Sequence, residues 1–129
     1  MTPTAARYSV RVLELFRTLP GAGSLQASPG AIVSGESMAL DRGAWVRFEA
    51  RVAAGRIVEC RFLAWGCPHL LAAAALAAGQ LARNAAGQVS SCDAASLARE
   101  LDTPAEKMGR LLVVEDAGRA LLSEAARVQ

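Results

Sequence analysis

From Pro68 to Ala82 the sequence PHLLAAAALAAGQLA carries no charged residue, and the first charge after it is Arg83. A helix built from this stretch is apolar around most of its circumference, so it is stable in water only where protein covers it on nearly every side. The spacing predicts a central buried helix from Pro68 to about Asn84. The run is well short of the roughly 20 apolar residues that a membrane span requires, so the rest of the chain has to supply the cover. A single domain of 129 residues, 53 % of them apolar and 20 % charged, is large enough to do so. The N-terminus has neither the basic nor the apolar region of a signal peptide, and a cytoplasmic location without membrane contact is the expectation.

The flanking segments supply a sheet and further helices. In WVRFEARV, residues 45 to 52, Val46, Phe48, Ala50 and Val52 alternate with Arg47, Glu49 and Arg51, the period of a strand with one wet face. Ala53-Ala54-Gly55 predicts a tight turn. Arg56 to Trp65 then alternates again, with Val58, Cys60, Phe62 and Ala64 on the core side. Gly21 to Gly35 reads as a loop with a short strand around Ala31 to Val33. Residues 7 to 19 place Val12, Leu15, Phe16 and Leu19 on one helical stripe that stops at Pro20-Gly21. Ser91 or Asp93 caps a short helix carrying Leu97 and Leu101. Thr103-Pro104-Ala105-Glu106 has the form of a capping box before a last helix running toward Leu122. The expected architecture is α+β, a small antiparallel sheet of about three strands with helices packed on one face, in one domain spanning residues 1–129.

Chemistry concentrates at FLAWGCPHLL, where a strand meets the central helix. With three cysteines and one histidine in the chain, Cys67 and His69 stand two residues apart at this junction. If the helix begins at Pro68, Cys67 is its N-cap, and a thiol facing unpaired backbone N–H groups is favoured as thiolate. The competing reading is a small buried hydrophobe. Cys60 points into the core, and Cys92 lies in a polar loop. No CxxC spacing indicates structural zinc or a dithiol. No catalytic triad, phosphate loop or carboxylate pair is present, so the chain reads as a non-enzyme. A net charge of +2 with scattered arginines gives no support for nucleic-acid binding.

The sequence resembles the U-type iron–sulfur cluster assembly scaffolds, the family of IscU, SufU and the N-terminal domain of NifU. YSVRVLELF at 8–16 is similar to the family's opening helix, RFLAWGC at 61–67 to its strand-to-helix junction, and VVEDAGRALL at 113–122 to its late helix. The resemblance implies an IscU/SufE-like fold, partners such as a cysteine desulfurase, and a site of three cysteines, an aspartate and a histidine for a [2Fe–2S] cluster or zinc. Carried over position by position, only Cys67 keeps a metal-binding side chain. Arg42 stands in the place of the first cysteine, Ala44 of the aspartate, and Gly109 and Arg110 of the histidine and last cysteine. The family's chaperone pattern is matched at Thr103 to Lys107 only by Pro104 and Lys107.

These replacements lead to the expectation of a degenerate scaffold that acts through partner binding and holds no cluster alone. Two alternatives stand beside it. One is a regulatory module whose Arg42, Arg110 and His69 form an anion site. The other is a reactive-thiol protein that transfers sulfur or redox equivalents through Cys67.

Overall fold

In the computed structural model, which describes residues 8–25, 31–82 and 93–128, three antiparallel strands pair in the order β1 (Ala31–Ala39), β2 (Ala44–Ala53), β3 (Arg56–Trp65). The β2–β3 hairpin closes through Ala54 and Gly55, both at positive φ, the conformation that a two-residue hairpin loop needs to follow the strand twist. Along β2 the alternation is as the sequence predicts. Ala44, Val46, Phe48, Ala50 and Val52 are buried, and Arg47, Glu49 and Arg51 stand on the opposite face. There Arg47 pairs with Glu36 and Glu49, and Arg51 and Arg61 pair with Glu59. The middle of this face is therefore a lattice of charges.

Two strand expectations need correction. Val58 does not face the core: Arg51 pairs with Glu59 but Val52 pairs with Ile57, so Val58 is the extra residue of a bulge. The slip turns Ile57 inward at 2 % exposure and leaves Val58 54 % exposed, as a one-residue change of strand phase must. The first strand is also three times longer than Ala31 to Val33. Its inward positions beyond Val33 are Gly35, Ser37 and Ala39, small residues that give no hydrophobic alternation to read.

Among the described residues, four α-helices lie on the apolar side of the sheet. The central helix α2 (Pro68–Leu81) covers β3, and the long terminal helix α4 (Met108–Arg127) covers β1 and β2 and packs on α2. The helices α1 (Val10–Thr18) and α3 (Ala94–Leu101) complete the cover over α2. The burial of α2 is nearly total: His69, Leu70, Ala72 to Ala78 and Leu81 are all buried. Alanine is what permits neighbours to come close on several sides at once, while Leu70, Leu76 and Leu81 fill the wider gaps.

Side chains fix the helix ends. Ser9 accepts a hydrogen bond from the Val12 N–H and donates its hydroxyl to the Leu101 carbonyl at 2.7 Å, capping α1 and tying it to the end of α3. Asp93 caps α3 by accepting from the Ser96 N–H; Ser91 lies outside the described residues, as does the end of the predicted central helix at Asn84. On α1 only Val12 and Leu15 of the expected stripe are buried; Phe16 is 40 % exposed, and Leu19 forms the left-handed C-cap. The expected capping box does not form. Pro104 precedes a 3-10 turn at Ala105–Lys107, α4 starts only at Met108, and the Thr103 hydroxyl turns to His69 instead. Among the described residues, no helix is long and apolar enough to cross a membrane.

Candidate functional site

Three segments meet where β3 gives way to α2. Gly66 leaves the strand at φ 155°, and a Cβ on it would lie 3.0 Å from the Gly43 carbonyl oxygen. The absent side chain thus lets the turn at Leu40–Arg42 and its C-cap Gly43 settle onto the junction. Cys67 follows as the half-buried N-cap of α2, with Pro68 at the first helical position as expected. Its sulfur makes no capping hydrogen bond, so the predicted contact with the helix N–H groups is not made. Sulfur is a weak acceptor, and Pro68 contributes no N–H.

Arg42 reaches from that turn to the start of α4. Its Nη1, Cζ and Nε lie 2.6 to 2.9 Å from where a Cβ on Gly109 would stand. Only glycine leaves room for the guanidinium there, one residue before Arg110 in α4. Among the described residues, Arg42, Lys107 and Arg110 have no carboxylate within ion-pair distance, although the exposed Asp41, Asp102 and Glu106 are close in the chain. The Arg110 Nε is buried with no hydrogen-bond partner.

His69 is 1 % exposed at the base of this corner. Its Nδ1 and the Thr103 hydroxyl share a hydrogen bond at 3.3 Å, its ring lies 5.1 Å from that of Tyr8, and its Nε2 is buried without a partner. Burial, more than any neighbour, lowers its proton affinity. The charges of Lys107 and Arg110 push the same way against the weaker pull of Asp102 and Glu106. The roles of Thr103, Lys107 and Tyr8 around this histidine are absent from the sequence reading, because each comes from a segment distant in the chain.

The described residues at this corner do not fit a metal centre. A [2Fe–2S] cluster or zinc requires thiolate, imidazole or carboxylate donors converging on one point, and here the Arg42 guanidinium lies over Gly109. Among the described residues, no group of three or more His, Cys, Asp or Glu side chains could hold a metal ion. Cys60 is in the core, on the inward face of β3, as the alternation predicts. Cys92 lies outside the described residues.

Comparison with known proteins agrees with this architecture. The crystal structure of the N-terminal part of a nitrogen-fixing NifU-like protein from Brucella abortus superposes with a TM-score of 0.67 at 13 % identity, covering 94 % of this chain and 95 % of that one. A putative iron–sulfur cluster assembly scaffold protein for the SUF system from Fervidobacterium islandicum superposes with a TM-score of 0.57 at 14 % identity, covering 97 % of both chains. At such identities the likeness is one of fold. No curated protein matches the sequence. The family model for the NifU-like N terminal domain matches residues 7–125, nearly the whole chain, and the protein belongs to that family.

Proposed function

We propose that this chain serves iron–sulfur cluster assembly by binding protein partners, as a binding protein and not an enzyme, and that it does not hold a [2Fe–2S] cluster by itself. The observation that carries this reading is the Arg42 guanidinium seated on Gly109, beside Arg110. These three residues stand at positions where the family resemblance puts metal ligands. A cation fixed there repels iron and zinc, and one half-buried thiol at Cys67 is too few donors to offset it.

A surface beside the junction supports partner binding. Met38, Trp45 and Trp65 lie in register across the three strands, on the face away from the core. Met38 is 53 % and Trp65 55 % exposed, and the neighbouring Leu40 is 76 % exposed. Exposed tryptophan in an apolar row is the residue type that dominates binding energy at protein interfaces. The resemblance names a cysteine desulfurase as the partner to test. Titrating the protein into the desulfurase of the same organism by calorimetry is expected to give a saturable complex. Trp65→Ala should weaken it by more than about tenfold. No heat of binding with the wild-type chain would contradict the reading.

A further inference from the structure

We propose that the corner between Arg42 and Arg110 binds an oxyanion, a carboxylate or phosphate group held by the two guanidinium groups with Lys107 and His69 at its edge. Two observations carry it, and neither depends on the assembly role proposed above. The first is electrostatic. Arg42 is packed on Gly109, next to Arg110, and no acidic side chain among the described residues forms an ion pair with either, or with Lys107. Cations without a counter-charge leave a positive field at this corner, which a bound anion would offset.

The second is a deficit of acceptors. Arg110 Nε–H is a buried donor without an acceptor, and His69 Nε2, on a ring only 1 % exposed, is buried without a partner and is a second such donor in the tautomer whose Nδ1 accepts from Thr103. A buried donor left without an acceptor costs enough that native structures seldom leave one, and a bound ion is one of the few explanations. Guanidinium groups present N–H donors in a planar fork that matches two oxygens of a carboxylate or phosphate. That fork favours a ligand with two or more acceptor oxygens over a simple halide.

The test uses the free protein at constant ionic strength, with inorganic phosphate in one series and acetate in the other. Amide and arginine Nε–H signals are followed by heteronuclear NMR. Binding is expected to move the Arg42 and Arg110 Nε–H signals saturably in at least one series. Arg110→Gln and Arg42→Gln should each weaken binding by about tenfold. Arg56→Gln, at the far end of β3, should leave it unchanged. Tighter acetate binding assigns the site to a carboxylate, tighter phosphate binding to a phosphate group, and equal binding to either. The amide spectrum shows in the same sample whether each variant is folded. Absence of a saturable shift in both series, or equal weakening by Arg56→Gln, would overturn the proposal. Neither result involves a partner protein, so failure of the anion site and failure of desulfurase binding are separate outcomes.

Discussion

His69 is the chain's sole histidine, and it is buried in contact with Thr103 and Tyr8. Burial, aided by Lys107 and Arg110, holds its pKa below the ordinary value of 6.5. The unfolded chain therefore takes up a proton near pH 6.5 while the folded chain still refuses it, so stability falls with pH from 6.5 down to the folded-state pKa and is flat above. Asp93 shifts in the same sense at lower pH: bonds from Ser96 hold its pKa under 3.8, and its contribution is lost only below that value. Urea unfolding midpoints measured from pH 7.5 to 5 should fall, and the fall should be absent in a folded His69→Gln variant. A midpoint independent of pH over that range would contradict the burial account. The sequence shows that His69 starts a buried helix, and burial is the larger cause of its lowered proton affinity. The added push from Lys107 and Arg110, about 40 residues away, was not legible, because their arrival depends on how α4 is laid down.

At the scale of elements, β1 and α4 pack closely at Gly35. A Cβ on Gly35 would collide with the Leu121 backbone nitrogen and lie 2.7 Å from the Ala117 carbonyl oxygen. Neither atom can yield without moving the helix, and Gly35→Ala should lower stability by about 3 kcal/mol. At Gly109 a Cβ would meet only the flexible end of Arg42. Gly109→Ala should therefore raise stability by roughly 0.5 kcal/mol through helix propensity while displacing the guanidinium. Chemical denaturation of the two variants checks both signs; equal destabilisation would show that Arg42 is as rigid as the helix backbone. Beyond Val33, strand β1 was illegible in the sequence for the same reason that Gly35 matters. A strand pressed against a helix uses small residues, and Gly-Glu-Ser reads locally as loop. The bulge at Val58 was hidden too, since both Ile57 and Val58 are apolar and only the pairing decides between them.

For the whole molecule, the alternation of β2 and the uncharged stretch of α2 were enough to predict a helix-covered antiparallel sheet, because both signals span many residues. The order of three short motifs along the chain pointed to the NifU-like N-terminal family, and the match over residues 7–125 establishes it. The site was legible as a set of replaced positions, but the seating of Arg42 on Gly109 was not, since it joins a turn and a helix 67 residues apart. The central claim is that this fold holds a cation of its own where a metal would need donors. Its most direct measurement is anaerobic reconstitution with ferrous iron and sulfide, followed by visible absorption and iron analysis of the desalted protein, with Cys67→Ser in parallel. The account predicts a folded, colourless protein with no iron above the Cys67→Ser control. Stable colour that depends on Cys67 would contradict it.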